Sequence, residues 1–448
     1  MGFGQRDRAG CRGLCYLDAS DVLRTICTFR EPVVRSILRL PCRILCFCLL
    51  IAAFDIHSEQ TTKDLAGKNQ RIFVGTRNSI DNNRITGYLN IEGFEMPMLL
   101  DTGAGFPFTL FQPVAEELSL KLEKSDDHQK FYKTTVRVGV GTTGDSLSEP
   151  VNMHVLSTPF IDRQHYGIIG WPVIRRSLIE INLPESRWKY HDSLPDEVEQ
   201  DWVSFPFIEN RFGVLLFRIM NQGEEQLVSL DTGSTGGVHL SKEDWSQWQK
   251  ETKPAWVTID AGYSPATKGG FSVTRGAVAD EFTIGKLRIQ SVSVEETFAE
   301  LMANGDEIPI EKMIIGMDAI KNRRVLIDGP GERIYFGPIV ETKEKEVRIN
   351  RAQATWIPDP EDQKKMIASV IKDGVAYQAG LRDGDRVLMV NGGIAANGFK
   401  DKSLRPSTVF KDPSGTRVRL LVERDGERFA ITFELGRSPY EPDPEADQ

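Results

Sequence analysis

Two stretches of the chain share one pattern of apolar and polar positions. "GYLNIEGFEMPMLLDTG" (Gly87–Gly103) reads as two strand-like runs split by a Glu-Gly turn. "FGVLLFRIMNQGEEQLVSLDTG" (Phe212–Gly233) repeats the design, with its turn at "NQGEE". After the first Asp-Thr-Gly comes a strand, "FPFTLF", then "QPVAEELSLKL", a predicted helix with Pro113 near its start. After the second comes "GGVHLSKEDWSQW", where Ser241 is placed to cap a helix with Asp244 three residues on.

The parallel continues downstream. "YGIIGWPVIRRSLIEINLPESRWKY" (Tyr166–Tyr190) matches "MIIGMDAIKNRRVLIDGPGERIYFG" (Met313–Gly337) feature by feature. Each has an apolar pair, a glycine, a short helical stretch, a strand, a turn with proline, and a strand. The two aspartates, Asp101 and Asp231, lie 130 positions apart, and the apolar-Gly elements follow them by 69 and 85. Two copies make an internal duplication, not a solenoid. "ETKEKEVRINRAQ" (341–353) then reads as a charged linker. "DGVAYQAGLRDGDRVLMVNG" opens a different unit, with a helical turn closed by Gly380 and a strand ending at Asn391-Gly392. The predicted organisation is a leader over 1–58, repeats over 71–195 and 200–340, the linker, a small unit over 354–437 and a disordered tail over 438–448.

Charge and cysteine usage change this picture mainly at the N-terminus. The formal charge of −9 divides into +4 over residues 1–54 and −13 over the rest, which does not favour a nucleic-acid partner. All six cysteines fall at or before Cys48, so the body carries no disulfide and no thiolate metal site. Arg39 and Arg43 precede an apolar run, Ile44–Phe54, and a polar change near Ser58. That is the order of an export signal. The run is short for a transmembrane helix, so membrane contact is expected only through an uncleaved leader. The protein is expected to be exported: periplasmic, in the cell envelope or secreted.

Two Asp-Thr-Gly turns on duplicated strands carry a definite chemistry. Carboxylates held about 3 Å apart cannot both ionise and share a proton. One then acts as general base on a water while the other protonates a carbonyl. Asp101 and Asp231 are the candidate pair, and neither metal nor cofactor is required. Gly103 and Gly233 allow close approach of the two turns. Thr102 and Thr232 can hydrogen-bond across the junction. Ser234 follows the second turn where Ala104 follows the first. Its hydroxyl is expected to donate to Asp231, leaving the proton on Asp101.

These residues resemble the pepsin/retropepsin-like aspartic proteases over 71–340. "LLDTGAG" is similar to the retroviral form of the active-site turn and "SLDTGST" to the pepsin form. "IIGW" and "IIGM" resemble the strand behind each turn, through Gly170 and Gly316. The resemblance implies a mainly β, two-lobed β-barrel protease that hydrolyses a polypeptide substrate with Asp101 and Asp231, its site built within one chain. The pepsin flap tyrosine motif has no counterpart. "GVGTTG" fits a dinucleotide fingerprint, but Pro150 and strand-like residues follow where a helix would be needed. A glycine hairpin through Gly139, Gly141 and Gly144 is expected instead, in a position that suits a flap. Residues 366–435 resemble a PDZ domain, a small α+β fold that takes C-terminal peptides by strand addition beside a carboxylate-binding loop. That loop's usual Gly-Leu-Gly-Phe form is missing, so a docking or packing role stays open. Two other readings of the whole chain remain: a catalytically silent peptide-binding protein of the same fold, and a PDZ-centred envelope scaffold.

Overall fold

The computed structural model describes residues 79–439, apart from 82, 125–130, 141–145, 149, 158–163, 209–212, 222, 264–270, 298–312, 342–348, 363 and 400–401. The leader, Gly141, Gly144 and residues 440–448 of the tail lie outside the described residues. What is described is mainly β.

The first repeat contributes β1 (Ser79–Asp81), β2 (Arg84–Ile91), β3 (Phe94–Asp101), β4 (Phe108–Phe111), β5 (Glu123–Lys124) and β6 (Phe131–Val136). A short hairpin, β7 (Gly139–Val140) with β8 (Ser146–Leu147), precedes β9 (Val151–Leu156) and β10 (Gly167–Gly170). The order across the main sheet is β1-β2-β3-β10-β4-β9-β6-β5. β11 (Leu178–Asn182) and β12 (Arg187–His191) complete the repeat.

The second repeat contributes β13 (Val203–Ile208), β14 (Leu216–Asn221), β15 (Glu224–Leu230), β16 (Val238–Leu240) and β17 (Val257–Tyr263). Then come β18 (Phe271–Ile284), β19 (Leu287–Glu296), β20 (Met313–Ile315), β21 (Arg324–Asp328) and β22 (Arg333–Phe336). Its order, β13-β14-β15-β20-β16-β19-β18-β17, is the first order again, position for position. Polarity is repeated too. β10 runs parallel to β3 and antiparallel to β4, as β20 does to β15 and β16. Both predicted helices form: Gln112–Glu117, with proline in its first turn, and Lys242–Thr252, where Asp244 N–H donates to Ser241 Oγ at 3.1 Å.

The repeats are joined by β11 and β21, which pair antiparallel with Glu180 opposite Leu326. One continuous apolar core runs through both, from Leu89 and Leu110 to Phe217, Ile315 and Phe336. At the joint Glu180 is buried. It accepts from Arg324 Nε at 2.7 Å across the repeats and lies 2.6 Å from His191 Nε2 and 3.3 Å from Lys189 Nζ. Burial opposes its ionisation, but Arg324 and His191 more than offset this and hold its carboxyl down at about 2.

The C-terminal unit has its own core, including Trp356, Phe410, Leu420 and Phe433. Its sheet takes β23 (Ala354–Pro358), β24 (Met366–Val370), β25 (Arg386–Val390), β26 (Gly393–Ile394), β27 (Arg417–Arg424) and β28 (Glu427–Glu434). The order is β23-β24-β25-β27-β28, with β26 on β25. One sequence boundary is corrected here. Residues 349–353 were expected to belong to the linker, but Ile349, Asn350, Arg351 and Ala352 are buried. Arg351 N–H donates to Phe410 O at 2.8 Å, which fixes this stretch to the folded unit. Short apolar content hid it: only Val347, Ile349 and Ala352 break a charged and polar run over 341–353.

Candidate active site

β3 and β15 deliver their aspartates from equivalent positions. Each strand is central in its sheet, with a parallel neighbour that pairs beside its end: Gly170 opposite Asp101, and Ile315 opposite Leu230. The turn that follows leaves the sheet, and its backbone is held by that neighbour. Trp171 N–H donates to Ala104 O at 3.0 Å, and Met317 N–H to Ser234 O at 2.9 Å. The close packing explains Gly170 and Gly316. A Cβ on Gly170 would lie 2.0 Å from Phe106 O, and one on Gly316 would lie 2.5 Å from Gly236 O.

The two turns meet through their threonines. Thr102 N–H donates to Thr232 Oγ1 at 3.0 Å, and Thr232 N–H to Thr102 Oγ1 at 3.0 Å. Each hydroxyl then donates to the strand of the other repeat: Thr232 Oγ1 to Leu100 O at 2.8 Å, and Thr102 Oγ1 to Leu230 O. Both threonines are buried. In this setting their donors and acceptors have no water to turn to, so the bonds fix the separation of the turns.

This places Asp101 and Asp231 side by side, joined by a hydrogen bond between their carboxyl groups. Gly103 N–H donates to Asp101 Oδ1 and Gly233 N–H to Asp231 Oδ1, both at 2.8 Å. Each glycine also faces the opposite acid. A Cβ on Gly103 would sit 2.7 Å from Asp231 Cγ, and one on Gly233 would sit 2.4 Å from Asp101 Oδ2. Burial pushes the Asp101 carboxyl well above the ordinary range, and the charge of Asp231 and the bond to it add to the rise. The N–H groups of Gly103 and Ala104 oppose this and are outweighed. Such a pair titrates jointly and carries one proton over a wide pH span. It can withdraw a proton from one reactant atom and supply one to another.

Ser234 departs from expectation. Its backbone N–H donates to Asp231 Oδ1 at 3.1 Å, but its hydroxyl lies 3.0 Å from His239 Nε2. His239 Nδ1 is in turn 3.7 Å from Glu295 Oε2. The Ser234 hydroxyl therefore does not supply the expected bias; burial and the neighbouring charge are what raise the Asp101 carboxyl. His239 and Glu295 carry no motif. They are found only through the pairing of β16 with β19, which sets them opposite each other.

Gly139 lies in the β7–β8 hairpin, which replaces the helix a dinucleotide site would need. β7 packs against β2. Arg137, just before it, is clamped to the β2–β3 turn by Glu92, at 2.9 Å from Arg137 Nη2. Among the described residues no group of three or more His, Cys, Asp or Glu is placed to hold a metal ion.

Comparison with known proteins identifies one part of the chain. Residues 366–392 match the family described as the PDZ domain. The C-terminal unit contains a PDZ domain. The matched stretch runs from β24 through β25, the segment with the Gly380 helical turn and the Asn391-Gly392 corner. A PDZ domain points to peptide binding by a partner protein. The matched residues lie outside the two repeats, and no curated protein matches the chain.

Proposed function

We propose that the two repeats form an exported aspartic endopeptidase of the pepsin/retropepsin kind, acting on polypeptides, with the PDZ domain as an attached module. The observation that carries the reading is the hydrogen-bonded pair of Asp101 and Asp231, set between duplicated turns that lock each other. In this mechanism Asp101, which holds the proton, donates it to the scissile carbonyl oxygen. Asp231 accepts a proton from the attacking water, whose oxygen bonds to the carbonyl carbon. In the tetrahedral intermediate, Asp231 returns its proton to the leaving nitrogen and Asp101 takes one back from a hydroxyl. The C–N bond breaks, and the pair is restored with no external acid.

The PDZ domain favours a second reading, a protein that gathers peptides without cutting them. Turnover separates the two. Residues 59–448 assayed on a quenched peptide library over a pH series should cleave, and Asp231→Asn should not. Absence of turnover at every pH, in protein whose fold is intact, would leave the binding reading.

A further inference from the structure

Strand addition uses the open edge of a sheet, whose unpaired N–H and C=O groups receive the peptide. In the PDZ domain β23 is such an edge, and the helix Pro406–Val409 packs beside it. β17, the edge strand of the second repeat, lies against both. Among the described residues no ladder pair joins β17 to β23. Side chains make the junction instead. Asn350 Nδ2 donates to Ile259 O and Gln353 Nε2 to Val257 O, both at 2.7 Å. Those carbonyls are two residues apart and so point from the same side of β17. Lys411 Nζ lies 3.5 Å from Asp260 Oδ2, and the Trp256 ring packs against Gly436.

Two further details place this junction on the ligand-accepting side of the PDZ domain. Ala354 and Trp356 alternate into the domain's own core. Thr355 must therefore face the other way, yet it is 0% exposed and its hydroxyl has no partner. β17 and β18 of the second repeat both pack against β23. The N–H groups of Ala352 and Gln353, just ahead of β23, both donate to Asn350 Oδ1 at 3.1 Å. Backbone donors at the head of the edge, where an incoming carboxylate would seek them, are thus satisfied from within.

We propose that the strand-accepting edge of the PDZ domain is occupied by β17 of the same chain, so that the domain is an internal clamp and a C-terminal peptide binds only by displacing it. This does not rest on the protease reading, and its tests do not read activity. Zero-length carbodiimide coupling of the full chain should join Lys411 to Asp260, and should also join the reference pair Lys321 and Asp318, whose charged atoms are 3.1 Å apart. Lys411→Glu sets a second carboxylate against Asp260 and should open the junction. Adding Asp260→Lys restores the opposite charges and should close it. Phage displaying random peptides with free C-termini should enrich a related set on Lys411→Glu, but not on the wild type or the charge swap. Enrichment of the same set on the wild type would overturn the proposal. So would coupling of Lys321 to Asp318 without any of Lys411 to Asp260. Enrichment on none of the three proteins would overturn the assignment of this edge to peptide ligands.

Discussion

Asp101 sits where burial, the Asp231 charge and their mutual hydrogen bond all favour the protonated carboxyl. Its folded-state value lies above the unfolded one, so ionising it opposes folding. Stability is lost as pH rises from about 3.8 through the folded value. Asp101→Asn should therefore abolish turnover yet raise the melting temperature at pH 7, with the gain disappearing near pH 3. Melting curves of both proteins at the two pH values check this. Gly103→Ala and Gly233→Ala should each cut kcat/KM at least about 100-fold, because the new methyl forces the opposite carboxylate away and misplacement of this size has that effect. Both aspartates and both glycines were legible from the doubled turn. The partner of Ser234 was not. Its hydroxyl follows His239, five residues on, and nothing in the sequence near Ser234 fixes that rotamer.

At the scale of elements, the junction of β11 and β21 depends on one buried acid. Glu180 in "SLIEINL" reads in sequence as the one charged position in an apolar strand. Its cross-repeat partner Arg324 is 144 positions away, out of reach of any local pattern. The register of β11 on β21 and that of β11 on β12 supply the partners. Since the folded value of about 2 lies below the ordinary 4.5, stability from this carboxylate is fully present above pH 4.5 and is lost as pH falls toward 2. Glu180→Gln should cost about 3 kcal/mol at pH 7. Denaturant titrations at pH 7, 4 and 2.5 should show the gap between the proteins narrowing with acid.

For the whole molecule, the duplication puts both aspartates on one chain. On the proposed protease reading, specific activity should stay constant on dilution across a range of protein concentrations. A fall at low concentration would mean that subunits must associate before they act. The repeat was readable because the turns and the apolar-Gly elements recur in the same succession. The seating of the C-terminal unit was not readable. It depends on Asn350, Gln353 and Lys411, polar residues that the sequence presents as linker or surface, meeting carbonyls and a carboxylate of β17.

The reciprocal placement of Gly103 and Gly233 bears on how such a chain can change over generations. Each glycine is kept small by the acid of the other half, not by its own. If a descendant lost Asp101, purifying selection would ease first at Gly233, 132 positions away in sequence. Gly103 would remain constrained for as long as Asp231 stayed. The two halves, though copies, are therefore not free to drift apart at this point, and a descendant that had lost one acid would carry its scar in the half that still looks intact.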